Sequence, residues 1–303
     1  MKIKKIAVLT SGGDAPGMNA AIYGIYSACK NQNIALLGFL GGYNGLIDNN
    51  YINLDYTTLN GKINAGGSLL KCSRCPRFFK RANINKAIKN IKDLKIDALI
   101  VIGGDGTIRG AMELQKAGIK VIALPGTIDN DLNFSHTIGY DTALNNIVKA
   151  VDNISDSLSS FDYGGVIKIM GRDCDDLIKA SALALHTNFV VTEKDINIDA
   201  LAKDIKKAHS EQSLPIVVLV REDCVDCNDL AEILQNKCKF QFRPHILGYI
   251  QRGGTPSAFD RSYAYSAGAF AVNLICENKV GIAVGMDACK LTTKSLEIAI
   301  KKS

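Results

Sequence analysis

The chain has 303 residues, a length at which either one large domain or two ordinary domains are expected. Its composition, 47% hydrophobic and 22% charged residues, supplies enough apolar side chains for a sizeable core. The net charge of +6 is spread along the sequence without the basic clusters of a nucleic-acid interface, and no apolar run reaches the roughly 20 residues of a membrane span. We therefore predict a cytoplasmic protein that binds neither nucleic acid nor a membrane.

Short apolar, β-branched runs alternate along the chain with helical patterns. Strands are predicted at 5–10, 34–40, 98–104, 120–126, 164–171, 189–192, 216–222, 245–250 and 280–286. Apolar residues at three- and four-residue spacing predict helices at 84–94, 142–158 and 199–211. Strands that are apolar on both faces and alternate with helices indicate an α/β protein with doubly wound, mainly parallel sheets.

Ligands of such sheets bind beyond the carboxyl ends of the strands. The segments that follow the predicted strands are rich in Gly, Asp, Arg and Glu: "TSGGDAPGMN", "GGDGT", "PGTIDND", "MGRDCDD", "REDC" and "GYIQRGG". The segments that precede the strands are ordinary Lys and Asn turns. This asymmetry predicts an active site at one edge of the sheet.

Two glycine loops in these segments suit an anionic ligand. Gly12 and Gly13 follow the first strand and open a helix, so their N–H groups can approach a phosphate, although a plain tight turn has the same appearance. In "GGDGT" the glycines leave one carboxylate, Asp105, which suits Mg²⁺ bound together with phosphate oxygens. The alternative role for Asp105 is to cap the helix that follows.

The positive charge for a phosphate has to come from isolated arginines. The sequence has neither a P-loop nor the dinucleotide fingerprint. Arg74 and Arg172 lie in glycine-flanked loops and are the candidates, although a lone arginine is more often a plain surface residue.

The nine cysteines include two Cys-x-x-Cys pairs, Cys72/Cys75 and Cys224/Cys227. Together they could supply four zinc ligands. The pairs lie about 150 residues apart, however, whereas a zinc ribbon spaces them by about 15–20. Free thiols in a reducing compartment are the simpler interpretation.

Several segments occur together in an order and at spacings typical of one family: "LTSGGDAPGMNAA", "GGDGT", "PGTIDND", "TIGYDTA", "MGR" and "LGYIQRGG". The chain resembles the bacterial-type ATP-dependent 6-phosphofructokinases over nearly its whole length. The resemblance implies the phosphofructokinase fold with two α/β domains, a nucleotide domain formed by 1–139 with 253–303 and a sugar-phosphate domain at 140–252. It also implies a homotetramer, or a dimer.

The resemblance assigns roles in phosphoryl transfer from Mg-ATP to the 1-hydroxyl of fructose 6-phosphate. Asp129 matches the catalytic base, Thr127 and Arg172 match groups on the transferring phosphoryl, and Asp105 matches the Mg²⁺-linked carboxylate. The implied ATP contacts are Gly12, Tyr43, Arg74, Cys75, Gly104, Asp105, Gly106 and Thr107. The implied sugar-phosphate contacts are Thr127, Asp129, Asp131, Tyr163, Met170, Gly171, Arg172, Glu222, Arg243, Tyr249 and Arg252. Arg243 would reach the site of a neighbouring subunit.

Glycines at 106 and 126 favour ATP, because pyrophosphate-using relatives carry Asp and Lys there. Other positions depart from the family pattern. Tyr163 and Tyr249 stand where the family has an arginine and a histidine on the sugar phosphate. The usual effector-site residues are replaced by Tyr23, Ser27, Tyr56, Ser155 and Asn188.

These departures predict a non-allosteric 6-phosphofructokinase with altered sugar contacts. Two alternatives remain open. One is a kinase of the same fold that acts on another sugar or sugar phosphate. The other is a weakly active or regulatory subunit of a phosphofructokinase complex.

Overall fold

The computed structural model describes residues 2–211 and 215–300. The chain forms two compact units. The first combines Met1–Thr142 with Arg252–Ser303, and the second is Ala143–Gln251. In the sequence, the second unit is therefore an insertion between the two parts of the first.

The strands of the described residues are β1 (Lys5–Thr10), β2 (Ala35–Phe39), β3 (Tyr51–Asn53), β4 (Ala98–Gly103), β5 (Val121–Pro125), β6 (Gly164–Ile169), β7 (Phe189–Val191), β8 (Val217–Arg221), β9 (Phe242–Ile246), β10 (Ile282–Asp287) and β11 (Lys290–Ser295). The first unit has a seven-stranded sheet in the order β11-β10-β5-β4-β1-β2-β3. Its five inner strands are parallel, and β3 and β11 are antiparallel edges. The second unit has a parallel sheet in the order β7-β8-β6-β9.

The α-helices are α1 (Met18–Asn31), α2 (Tyr43–Asp48), α3 (Tyr56–Leu59), α4 (Arg81–Asp93), α5 (Asp105–Lys116), α6 (Tyr140–Ser159), α7 (Asp176–Ala184), α8 (Ile198–Glu211), α9 (Cys227–Cys238), α10 (Ala258–Cys276) and α11 (Leu296–Ala299). Short 3₁₀ helices lie at Pro76–Phe79 and Gly248–Gln251. The three helices predicted from spacing correspond to α4, α6 and α8. The predicted α/β class with mainly parallel sheets is confirmed.

Strand β4 shows why buried parallel strands could be predicted from apolar runs in the sequence. All six of its residues are buried. Leu99 and Val101 belong to the main core cluster, and Ile100 and Ile102, which alternate with them, are equally inaccessible. Because both faces of a central parallel strand are covered, its sequence is a continuous apolar run rather than an alternating one.

Helices α1 and α10 cross closely, and two glycines allow it. A Cβ at Gly24 would lie 2.0 Å from the carbonyl oxygen of Tyr265, and a Cβ at Gly268 would lie 2.3 Å from that of Ala21. Any side chain at either position would force the helices apart.

The strand predicted at 245–250 is wrong in its position. Strand β9 covers Phe242–Ile246 instead, and Gly248–Gln251 forms a 3₁₀ turn. Strand β9 is an edge strand that tolerates Pro244. The apolar residues of "HILGYI" therefore mark the end of a strand and an exposed turn, in which Ile250 is 60% exposed.

Candidate active site

Three loops of the first unit follow the parallel strands β1, β4 and β5 and lie at one edge of the sheet. Backbone bonds tie them together: Ser11 N donates to Ile102 O at 3.0 Å, and Gly126 N donates to Gly103 O at 3.0 Å. The Thr107 hydroxyl donates to Ser11 O at 3.2 Å. The loops containing Gly12, Gly104 and Thr127 are therefore neighbours, as the sequence predicts.

The Gly12 loop contacts a further segment of the chain. Gly12 has a φ of +86°, a conformation that favours glycine, and its N–H donates to Ser73 O at 3.2 Å. The Ser11 hydroxyl donates to the same carbonyl at 3.3 Å. The next residue, Arg74, is exposed beside this loop. The structure thus places Arg74 near the glycine loops, which spacing in the sequence alone could not establish.

Asp105 is the first residue of α5, and Gly104 occupies the cap position. The alternative in which Asp105 caps the helix is therefore wrong. Its carboxylate forms an ion pair with Arg109, 2.9 Å away, in which both side chains are well exposed. A Cβ at Gly106 would meet no atom within 4 Å. An accessible carboxylate at a helix start beside open space fits a site shared by Mg²⁺ and phosphate.

Asp129 lies in a tight turn after β5. Its N–H donates to Thr127 Oγ1 at 3.2 Å, and the carbonyl of Thr127 accepts from the Thr137 hydroxyl at 2.6 Å. Asn130 is buried with a φ of +53°, and its side chain donates to Ser135 O. These bonds fix the turn on both sides and leave Asp129 half-buried, with Asp131 two residues on.

Tyr43 lies beneath the loop that follows β4. Its hydroxyl donates to Thr107 O at 2.7 Å, and its ring stacks on Phe78 with centroids 4.1 Å apart. Burial raises the pKa of this phenol. Cys75 is also buried, with its thiol on Asn44 Oδ1 at 3.0 Å. Tyr43 and Thr107 hold the glycine loops through hydrogen bonds, whereas Cys75 bonds to Asn44. Direct contact of each of the three with a nucleotide stays a prediction.

Arg252 places a positive charge beside the first glycine loop. Its Nε lies 3.3 Å from a carboxylate oxygen of Asp14, and a Cβ at Gly13 would lie 3.2 Å from its Nη1. Its side chain is 21% exposed. Glycine at 13 therefore makes room for this guanidinium, which was predicted to contact the sugar phosphate.

In the second unit, the loop after β6 carries Met170, Gly171 and Arg172. One oxygen of Glu222, Oε1, accepts from Gly171 N at 3.3 Å and from Arg172 N at 3.2 Å. The N–H of Met170 donates to Gln251 Oε1 at 2.9 Å. The structure therefore brings together four predicted site residues of this unit, including the exposed Arg172.

Sequence reasoning missed an ion pair beside this loop. Arg221 Nη1 lies 2.6 Å from Asp175 Oδ1, and the two side chains are 18% and 28% exposed. The available signal was a charged residue at the end of the apolar run "IVVLVRE", where a strand end normally points at a ligand or a partner. Its partner in "DCDD" could not be identified from spacing.

The remaining predicted sugar-phosphate residues of the second unit lie on β9, beside its start or just after its end. The guanidinium of Arg243 lies over the ring of Tyr163, 5.0 Å from its centroid, and donates to Gln241 Oε1 at 2.9 Å. The ring of Phe161 stacks on the ring of Tyr163, with centroids 5.5 Å apart. Tyr249 lies on the 3₁₀ turn and is 73% exposed.

The Cys-x-x-Cys pairs are free thiols. Burial raises the pKa of Cys72, Cys75 and Cys227. Within residues 2–211 and 215–300, no three His, Cys, Asp or Glu side chains form a group that could hold a metal ion. No helix in the described part of the chain is long and apolar enough to cross a membrane.

A protein-family model described as phosphofructokinase matches residues 5–275. The chain belongs to the phosphofructokinase family. The matched range contains the glycine loops and the Asp129 turn of the first unit, together with the whole second unit.

Similar curated phosphofructokinases come from several bacteria and are named ATP-dependent 6-phosphofructokinase. Those of Buchnera aphidicola and Vibrio cholerae are each 40% identical over 301 residues, which covers 99% of this chain and 94% of the relative. That of Macrococcus caseolyticus is 40% identical over 299 residues, 97% of this chain and 93% of the relative.

Solved phosphofructokinase structures share the fold. The Pichia pastoris enzyme in the T-state has a TM-score of 0.91 and 28% identity, over 99% of this chain and 36% of that chain. The Saccharomyces cerevisiae enzyme has a TM-score of 0.88 and 27% identity, over 98% of this chain and 45% of that chain. This chain thus spans less than half the length of either. A pyrophosphate-dependent relative from Marinobacter aquaeolei has a TM-score of 0.86 at 18% identity, so the fold alone does not decide the phosphoryl donor.

Proposed function

We propose that this protein transfers the γ-phosphoryl group of ATP to the 1-hydroxyl of fructose 6-phosphate, as a cytoplasmic ATP-dependent 6-phosphofructokinase of glycolysis. The observation that carries the proposal is the packing of the α5 start against the Asp129 turn. A Cβ at Gly104 would lie only 3.6 Å from the Cβ of Thr127. The predicted metal carboxylate, Asp105, and the predicted base, Asp129, therefore belong to adjacent loops at one sheet edge.

The glycine loops supply the nucleotide side. The N–H groups at the start of α5 and the positive end of that helix favour the phosphates of ATP, and Arg74 adds a full charge. Asp105 would hold Mg²⁺, which when bound neutralises charge on the phosphate oxygens. The open space at Gly106 allows phosphates to approach the backbone closely.

The assignment of ATP as the phosphoryl donor rests on Gly106 more than on Gly126. A Cβ at Gly126 would lie 3.1 Å from Ile102 and 3.3 Å from Met18, so this glycine has a packing reason of its own. Nothing crowds Gly106, so an acidic side chain of the pyrophosphate-using type would fit there. Its absence favours ATP, and assay with pyrophosphate in place of ATP tests this choice.

Asp129 takes the proton from the attacking hydroxyl as a general base. Thr127 Oγ1 already accepts the N–H of Asp129, so its own hydrogen is available for an oxygen of the transferring phosphoryl. Arg172 is proposed to neutralise charge on the same group. Asp131 lies in the same turn and is proposed as a further sugar contact.

Glu222, Met170 and Gly171 bind the sugar in this proposal. Glu222 commits Oε1 to two backbone N–H groups, and its other oxygen, Oε2, can accept from a sugar hydroxyl. The proposed contacts of the 6-phosphate are Arg243, Arg252 and Tyr249, and Tyr163 contributes through its ring, which lies under the Arg243 guanidinium.

We further propose that the chain is a homo-oligomer, a tetramer or a dimer, without allosteric control. In the first unit, two of the positions where effector arginines would stand carry Tyr23 and Ser27, which lie beside Tyr265. Tyr265 donates to the Ser27 hydroxyl at 3.0 Å, and its ring lies 6.3 Å from that of Tyr23. Neither Tyr23 nor Ser27 carries a positive charge that could bind an anionic effector. If neither ADP nor phosphoenolpyruvate shifts the rate curve, the absence of allosteric control is supported. A sigmoidal rate curve that either ligand shifts would contradict it.

A substrate panel with Mg-ATP tests the function. We expect ADP release with fructose 6-phosphate and little with fructose, glucose 6-phosphate or tagatose 6-phosphate, and we expect the Asp129→Ser variant to be inactive. Turnover only with another acceptor would establish the first alternative, a kinase of another sugar. ATP binding without turnover of any acceptor would establish the second, a regulatory subunit.

A further inference from the structure

The loop that carries Arg172 has a demanding backbone conformation. Gly171 has a φ of +146°, and Arg172 itself has a φ of +39°. A residue with a side chain adopts such angles only when its surroundings impose them. The loop then turns back on itself, with Cys174 N donating to Gly171 O at 2.8 Å. The surroundings that impose this shape are therefore part of how the site is built.

Two consecutive residues at the end of β8 hold this loop at both ends. Glu222 accepts from the N–H groups of Gly171 and Arg172, which fixes the start of the loop. Arg221 forms its ion pair with Asp175, which fixes the end of the loop at the cap position of α7. The aliphatic part of Arg221 also passes beneath the loop, since a Cβ at Gly171 would lie 3.8 Å from its Cγ.

The two cations that contact Asp175 differ in their surroundings. Arg221 is 18% exposed and lies 2.6 Å from Oδ1, whereas Lys179 is 68% exposed and lies 3.1 Å from Oδ2. A partly buried pair at short distance is screened less by solvent than an exposed pair on a helix surface. The Arg221 pair is therefore the one that can constrain the loop.

We propose that Asp175 and Arg221 are positioning residues that hold Arg172 in the orientation needed for phosphoryl transfer. The proposal deepens the proposed function and rests on it. Without the ion pair, the cap of α7 and the Cys174–Gly171 turn lose their anchor. Arg172 then relaxes to an ordinary backbone angle, and its guanidinium leaves the place where charge develops. Because that charge belongs to the transition state, the loss should fall on kcat rather than on ATP binding.

The test compares Asp175→Asn and Arg221→Met with Lys179→Ala as the matched control. We expect kcat to fall at least tenfold in the first two variants, with KM for ATP within about twofold of wild type. Lys179→Ala should keep kcat within about twofold, since exposed pairs contribute little. The double variant Asp175→Asn/Arg221→Met should be no slower than the slower single variant, because both remove the same interaction.

Hydrogen exchange of the segment 170–176 supplies a readout that does not depend on activity. The amides of Gly171 and Arg172 should exchange faster in Asp175→Asn and Arg221→Met than in wild type or Lys179→Ala. If Arg221→Met fails to fold, Arg221→Lys replaces it, with a smaller effect in the same direction expected.

The outcomes separate the two proposals. Unchanged exchange in the loop overturns the positioning role, and so does faster exchange with an unchanged kcat, which would make the ion pair merely structural. If wild-type protein does not phosphorylate fructose 6-phosphate, the proposed function fails. The positioning role would then be judged on exchange together with kcat for whichever acceptor is used. If no acceptor is turned over, its catalytic part fails as well.

Discussion

The guanidinium of Arg243 lies over the ring of Tyr163, 5.0 Å from its centroid. From the sequence, Tyr163 only replaces an arginine of the related enzymes. The structure gives it a contact of its own, because a cation over an aromatic face is attracted by the ring. Gln241 accepts from the same guanidinium at 2.9 Å, so Arg243 is held from two sides. Tyr163 is therefore interpreted as a support for the remaining arginine rather than as a lost phosphate partner.

Replacing Tyr163 separates the role of its ring from that of its hydroxyl. We expect Tyr163→Phe to keep KM for fructose 6-phosphate within about twofold, because the ring remains under Arg243. Tyr163→Leu removes about 0.5–1 kcal/mol of cation–π attraction and should raise KM about two- to fivefold with little change in kcat. Steady-state kinetics of the two variants measures this. Equal losses in both would assign the effect to the hydroxyl, and no loss in Tyr163→Leu would remove the support role.

Asp129 should be needed for chemistry and dispensable for nucleotide binding. Removing a general base typically costs about 10²–10⁴-fold, so we expect kcat of Asp129→Ser to fall by at least that much. The Kd for ATP, measured by titration calorimetry, should stay within about twofold. A variant that keeps most of its kcat would remove Asp129 from the role of base, and a lost ATP affinity would point to a structural role for this turn.

The glycine loops and the Asp129 turn could be found from sequence because each of them is local. Glycine spacing, a strand before the loop and a helix after it all lie within a dozen residues. The pair Asp175–Arg221 could not be found this way, because its members are brought together only by the pairing of β6 with β8. The contact of Tyr163 with Arg243 depends in the same way on β9 lying beside β6.

The same difference between local and long-range signals explains which strands could be predicted. Buried strands such as β4 are apolar throughout, so their sequence identifies them. The antiparallel edges β3 and β11 are short or half-exposed and contain many polar residues, so no apolar run marks them. Edge strands depend on their neighbour for definition more than on their own sequence.

Asp105 and Arg109 should respond differently to Mg²⁺. Asp105→Asn removes the proposed metal carboxylate, an interaction of about 1.5–3 kcal/mol, and should raise the Mg²⁺ concentration for half-maximal rate about tenfold or more. Arg109→Gln removes a cation that competes for the same carboxylate. Both side chains are well exposed, however, so the requirement should fall by no more than about twofold. Titration of activity with Mg²⁺ at fixed ATP measures both. An unchanged requirement in Asp105→Asn would exclude it as a metal ligand.

Asp260 should make stability depend on pH in an unusual direction. Its carboxylate is fully buried and accepts from Gly139 N at 2.9 Å and from Thr142 N at 2.8 Å. Burial raises the pKa of Asp260 from the ordinary aspartate value of 3.8 to about 6, by more than these hydrogen bonds lower it. The folded protein therefore binds this proton more tightly than the unfolded chain does. The contribution of Asp260 to the free energy of unfolding is full below pH 3.8 and falls as the pH rises to about 6.

The variant Asp260→Asn isolates this effect because its side chain does not titrate. Between about pH 4 and pH 6, the free energy of unfolding of wild type minus that of Asp260→Asn should fall by about 3 kcal/mol, as a shift of about two pKa units implies. Urea unfolding of the two proteins at closely spaced pH values measures the difference and cancels the carboxylates that they share. A difference that stays constant, or that rises with pH, would show that hydrogen bonds rather than desolvation dominate at this buried acid.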